Sequence, residues 1–209
     1  DSYLNIDVGA VWAASGGGGY QVYDPVEQTQ TIQVGVTNAG KGTCTVFVSI
    51  SAGNSGVFTQ RVMRQSATDL GYNLYTDAAK SNIIKDAATA TSSEVLVETV
   101  KKNETKVVDA YWMVAPSQIL PPFSGAYYDD DLVFSLYLGR IGHSPTHIED
   151  RSVRLQSQVA SSVELSLVDT GASFDEADAT QLLSFGVMSA GSSLGFDLRV
   201  RTNDGYRVS

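Results

Sequence analysis

Four groupings of residues in this chain have types and spacings that could do chemistry. Asp169, Thr170 and Gly171 follow a hydrophobic, strand-like stretch at 163–168. An Asp in that setting can activate a water molecule, but only when a second carboxylate shares its proton, and the sequence holds no second Asp-Thr-Gly. Gly191, Ser192, Ser193, Leu194 and Gly195 fit the Gly-x-Ser-x-Gly turn that lifts a nucleophilic serine between a strand and a helix. Strand-like pattern follows instead, and no His lies beyond Ser193, so the order of serine, acid and base is not met. His143 and His147, close to Glu149 and Asp150, would share one face of a helix and could chelate a metal there. Pro145 between them breaks such a helix, so a solvated segment without a metal is expected. Cys44 is the single cysteine; it can form neither an intrachain disulfide nor a thiolate cluster and reads as a small core hydrophobe. No acid-base site converges from these groups, so the expectation is a protein that is not an enzyme and uses no cofactor.

The elements that would position such residues follow from composition and patterning. At 209 residues the chain is long enough for one large domain, or for one domain and part of another. Its 43% hydrophobic content is globular, and its 19 glycines favour strands and tight turns over long helices. A net charge of -9 without a Lys/Arg cluster argues against nucleic acid and anionic membranes as partners. No run of about 18 apolar residues is present, so no membrane-spanning helix is expected. The opening Asp1-Ser2-Tyr3 suits a mature exported chain.

Apolar and polar residues alternate at Leu4-Ile6-Val8, Ile32-Val34-Val36, Val46-Val48-Ile50, Val95-Val97, Leu132-Phe134-Leu136-Leu138, Val163-Leu165-Leu167 and Leu198-Val200, with Val107-Val108 as a further strand candidate. Period two means one buried face, hence antiparallel strands. Turn signals punctuate them at 38–40, 52–56, 102–104 and 203–205, so the sequence predicts a β-sandwich. Residues 77–90 read as a turn or short helical loop, and the four glycines at 16–19 as a loop. Residues 139–154, with Gly142, Pro145 and mixed charges, read as a linker. After it, Val163-Glu-Leu-Ser-Leu-Val with Gly171-Ala-Ser-Phe174 echoes Leu4-Asn-Ile-Asp-Val with Gly9-Ala-Val-Trp12. The expected organisation is therefore an N-terminal domain at 1–140, a linker at 141–160, and the opening strands of a second, incomplete domain at 161–209. Such a fragment leaves strand edges unpaired and needs completion by another strand.

Four motifs in order carry a resemblance. Ser51-Ala-Gly-Asn-Ser-Gly56 is followed by Arg61-Val-Met63 and by Leu70-Gly-Tyr-Asn-Leu-Tyr-Thr-Asp77, and later by Gly125-Ala-Tyr127-Tyr-Asp129 opening a strand. This order resembles the spore coat protein U domain, a family of pilins and tip proteins of archaic chaperone-usher pili. The resemblance implies an immunoglobulin-like sandwich lacking its last strand, completed by a periplasmic chaperone and then by a neighbouring pilus subunit at an outer-membrane usher. It implies a secreted chain that passes the periplasm and ends in a cell-surface pilus. Two domain copies imply a tip adhesin that contacts a host or abiotic surface. The cysteine pair common in the family is absent here.

On this reading Arg61, Tyr72, Asn73, Tyr75, Asp77, Gly125, Tyr127 and Asp129 are structural residues of the motifs. Tyr72, Leu74 and Tyr75 are expected in the core, and Arg61 and Asp77 could form an ion pair. Ile119, Leu120 and Phe123, next to Pro121-Pro122, are expected to form an exposed apolar finger, with Trp12 as a second one, whereas Trp112 is expected to pack inside. Two alternatives stand beside this reading: a retropepsin-like aspartic peptidase using Asp169, and a coat protein that self-associates.

Overall fold

The computed structural model describes residues 4–8, 20, 22, 27–121, 127–160, 163–169 and 196–202. The chain divides into two units, Asp1–Ala160 and Ser161–Ser209.

In the first unit the alternating segments become antiparallel strands. They are β1 (Leu4–Val8), β2 (Gln28–Asn38), β3 (Cys44–Ile50), β4 (Arg61–Gln65), β5 (Thr68–Tyr75), β6 (Leu96–Val100), β7 (Glu104–Val114), β8 (Tyr128–Leu138) and β9 (Thr146–Ser157). They form one continuous sheet in the order β1-β2-β7-β5-β4-β8-β3-β6, with β9 also on β8. Among the described residues, the five strands β1-β2-β7-β5-β4 are ladder-paired with the four strands β9-β8-β3-β6 only at the bridge Arg64–Asp129. Val34, Leu74 and Trp112 from the first group and Val46, Phe134 and Leu136 from the second belong to one buried cluster. The sheet thus closes on itself as a sandwich, the arrangement that buries two period-two faces at once.

β8 shows how the pattern works. Its even-numbered residues from Tyr128 to Leu136 are buried and its odd-numbered ones are partly or fully exposed. Tyr72 and Trp112 pack edge to face at 6.0 Å, the geometry favoured by aromatic quadrupoles. Cys44 is partly buried against the same core, as a small hydrophobe would be. Residues 77–90 form turns, in which Asp77 accepts hydrogen bonds from the Ser81 and Asn82 amides at 3.2 Å.

One expectation is overturned. The stretch read as a linker carries β9, which pairs with β8 from Tyr128–Ser157 to Leu138–Thr146. The register shifts between Leu136 and Tyr137, leaving Ile148 as the extra residue of a β-bulge. An edge strand needs only one strongly apolar end, and here it is Leu155 and Val159 that are buried. Charges at Glu149, Asp150, Arg151 and Arg154 hid the strand, although such charges are a common means of blunting a sheet edge.

The second unit contains, among its described residues, β10 (Val163–Asp169) paired antiparallel with β11 (Phe196–Thr202). Ser166 is buried there, Leu198 is 60% exposed, and Arg199 pairs with Asp197 at 2.8 Å.

Candidate functional site

The strand edges come first, because strand pairing is what this architecture can offer a partner. The flank of β8 that does not face β3 and β4 is covered along eleven register pairs by β9. β1 runs close to β9, and beyond β9 the chain continues into a parallel bridge between Tyr20 and Val159. There the Tyr20 amide donates to the Gln158 carbonyl at 2.7 Å, and the Ala160 amide donates to the Tyr20 carbonyl at 2.9 Å. The core-facing row of β9 places Leu155 opposite Asp130 and Val153 opposite Leu132. On the solvent side Arg154 forms a two-point pair with Asp131 at 2.7 and 2.8 Å.

The motif residues meet in a buried polar knot. Arg61 is fully buried, and its guanidinium donates to the carbonyls of Ile50, Ser51, Phe58 and Ile84 at 2.7 to 3.3 Å. It also lies 5.2 Å from the centre of the Phe58 ring. Five donors aimed at four backbone carbonyls fix the turns at 51–60 and the strand-like segment at 84 onto one side chain. Burial lowers the Arg61 pKa to about 10, against the opposing influence of Tyr72 and Asp130. Tyr72 donates its hydroxyl to Asp130 Oδ2 at 2.6 Å, and the Asn54 amide donates to Asp130 Oδ1 at 2.6 Å. Desolvation pushes the Asp130 carboxyl above the ordinary range, and burial together with Asp130 raises the Tyr72 hydroxyl well above its own. Gly53 sits against this carboxylate at a φ of 66°, so any added Cβ would collide with Asp130.

Arg61 and Asp77 therefore do not pair. Arg61 is spent on backbone carbonyls and Asp77 on its own turn, because a buried cation needs several acceptors held around it and a lone exposed carboxylate cannot supply them. Tyr72, Leu74 and Tyr75 are buried as expected from their pattern, and Asn73 lies half-buried between them. Asp129 opens β8 beside Arg64, its carbonyl accepting from Asn54 Nδ2 at 3.0 Å, and Tyr127 is half-buried just before it. Gly125 lies outside the described residues. Asp130, which sequence reasoning passed over, was accessible to it: the period-two row of Leu132, Phe134 and Leu136 extends back to Asp130 on the core face.

The apolar finger is only partly present. Ile119 is 59% exposed, but Leu120 is buried and belongs to the core cluster. The reason lies next door. Gln118 docks the loop by accepting from the Gly71 amide at 2.6 Å and donating to the Gly71 carbonyl at 2.8 Å, as a strand backbone would. The Gln118 amide nitrogen of the main chain also donates to the Tyr20 hydroxyl, which in turn donates to the Ala115 carbonyl. A loop pinned this way turns one of two neighbouring apolar side chains inward. Trp12 and Phe123 lie outside the described residues, and Trp112 is buried.

Among the described residues no cluster of His, Cys, Asp and Glu has the grouping of a metal site. His147 lies on β9 and bonds Asp150 at 2.8 Å, while His143 sits in the preceding turn. Asp169 ends β10 opposite Phe196; Thr170, Gly171 and the Gly191–Gly195 motif lie outside the described residues. No helix among the described residues is long and apolar enough to cross a membrane.

Against known proteins, the search of curated sequences finds no match. Among solved structures the chain is similar to the ASH / PapD-like domain of human CEP192, at 7% identity and a TM-score of 0.31, covering 76% of this chain and 85% of that one. It is also similar to BcpA, the major pilin subunit of Bacillus cereus, at 9% identity and a TM-score of 0.28, covering 79% of this chain and 42% of the pilin. Both likenesses are too loose to carry a conclusion about function. The family model for the Spore Coat Protein U domain matches residues 10–133, a stretch that contains the Arg61 and Tyr72 motifs, the Gln118 loop and the start of β8. The chain belongs to the Spore Coat Protein U domain family.

Proposed function

We propose that this chain is a two-domain pilus subunit of the chaperone-usher type, in which the first unit is self-complemented and adhesive and the second accepts a strand from a partner. The observation that carries the reading is β9 lying on β8 over its whole length. A sandwich whose last edge is filled by its own chain needs no donor strand and is free to serve as a terminal, surface-contacting domain. The second unit, which contains the antiparallel pair β10–β11, takes the opposite role in this reading, that of a sheet to which a partner strand adds. Its completion would come from a periplasmic chaperone during export and from a neighbouring subunit at the usher. The exposed side chain of Ile119 supplies one apolar contact point for a host or abiotic surface.

The test is export with and without a periplasmic chaperone. Residues 1–160 alone are expected to accumulate as a folded monomer without it, whereas the whole chain is expected to copurify with the chaperone through the second unit. A first unit that needs the chaperone, or a whole chain that assembles with copies of itself in its absence, would replace this reading by that of a self-associating coat protein.

A further inference from the structure

The outward face of β3 and β6 carries a cleft of about 690 Å³, a volume in the range of small-ligand sites. One wall is the turn at 90–92 that leads toward β6, and the other is the turn at 139–143 between β8 and β9. The floor is apolar: Val97 is 48% exposed, and beneath it Phe47 is buried and held by a parallel stack on Tyr137 at 4.9 Å. Around it stand the hydroxyls of Thr45, Ser92 and Thr99 and the guanidinium of Arg140.

The charge distribution chooses among ligands. The chain has a net charge of -9, and three acidic side chains on segments flanking this cleft are held by local partners. Asp86 accepts from the amides of Ala88 and Thr89 and the Thr89 hydroxyl, Glu94 pairs with Lys85 and Thr91, and Asp150 bonds His147. Arg140, by contrast, has no ion-pair partner among the described residues and is exposed at the rim, with His143 beside it in the same wall. An unpaired guanidinium offers a two-point site for a carboxylate, and separated hydroxyls over an apolar floor suit a ring with hydroxyls at its edge and C–H groups on its face.

We propose that this cleft binds a carboxylated oligosaccharide, with a uronate carboxylate on Arg140, ring hydroxyls on Thr45, Ser92 and Thr99, and a sugar face over Val97. The site uses side chains of β3, β6 and two turns rather than the paired backbones of β8 and β9, so it goes beyond the assembly reading and does not depend on it.

Isothermal titration of the purified whole chain with trigalacturonate, neutral maltotriose and a sulfated trisaccharide decides the matter. Trigalacturonate is expected to bind saturably, and maltotriose about tenfold or more weakly, the scale of one charged hydrogen-bonded contact. Arg140→Gln, an exposed change that leaves the fold intact, is expected to remove that preference and make the two sugars equal. Thr99→Val is expected to weaken both sugars together. No saturable binding of trigalacturonate at millimolar concentration, an unchanged affinity in Arg140→Gln, or equal binding of the sulfated sugar each overturns the assignment. Assembly with a chaperone proceeds in the variants whichever result is found, which separates failure of this site from failure of the pilus reading.

Discussion

Leu155→Ala tests whether β9 seals the core of the first unit or merely lies along its edge. Leu155 is fully buried, on the row of β9 that faces the sandwich interior opposite Asp130. Burying a leucine side chain is worth about 1.5–3 kcal/mol by transfer, and the cavity left by truncation brings the usual loss to about 2–5 kcal/mol. For a domain of this size each kcal/mol moves the melting temperature by roughly 2–4 °C, so a loss of about 3 kcal/mol lowers it by roughly 6–12 °C. Arg154→Ala, one residue away, is the control. Its pair with Asp131 is 2.7 Å long, but the two side chains are 58% and 62% exposed, so water screens the interaction and its removal costs little. Differential scanning calorimetry of residues 1–160 at neutral pH should therefore separate the two variants clearly. A synthetic peptide of residues 146–160 should raise the melting temperature of Leu155→Ala by mass action, because the weakened strand can be exchanged. Equal shifts for both variants, or a Leu155→Ala protein as stable as the parent, would show that β9 does not close the core and would remove the basis for a self-complemented unit.

Other expectations follow from the same contacts. Arg61→Met leaves the carbonyls of Ile50, Ser51, Phe58 and Ile84 without their donor, and a loss of about 3 kcal/mol or more is expected in urea unfolding. Arg61→Lys should recover only part of it, since an ammonium cannot span all four. Ile119→Ser should leave the melting temperature within about 1–2 °C of the parent, whereas Leu120→Ser should lower it by several degrees, because only the second side chain is in the core. Any adhesive role of this loop is then read from surface retention of Ile119→Ser alone. Glu94, bonded to Lys85 and to the Thr91 amide, has its pKa lowered from 4.5 to about 2. A depressed carboxylate contributes stability that is complete above about 4.5 and is lost as pH falls through about 2. Glu94→Gln should therefore flatten that part of the acid-unfolding curve and leave the slope above pH 5 unchanged, as followed by circular dichroism.

Period-two alternation alone determined most of this protein. The strands at 32–36, 46–50, 132–138, 163–167 and 198–200 are legible because one face of each meets a core and the other meets water. The burial of Tyr72, Leu74 and Trp112 is legible on the same ground. The motif order supplied the family, while β4, five residues long and largely polar, is not readable as a strand without it. Only the tertiary structure decided the rest. β9 is polar over its first half, since an edge strand buries little there, and nothing local distinguishes it from a linker until β8 is placed alongside. Leu120 turns inward because Gln118 pairs with Gly71, a residue 47 positions away. Arg61 is satisfied by carbonyls from three separate turns, and the cleft beside Arg140 is assembled from β3, β6 and two loops. Alternation is a property of neighbouring residues and can be read along the chain; partners for a buried charge, and the walls of a cleft, come from distant segments and exist only once the sheet has closed.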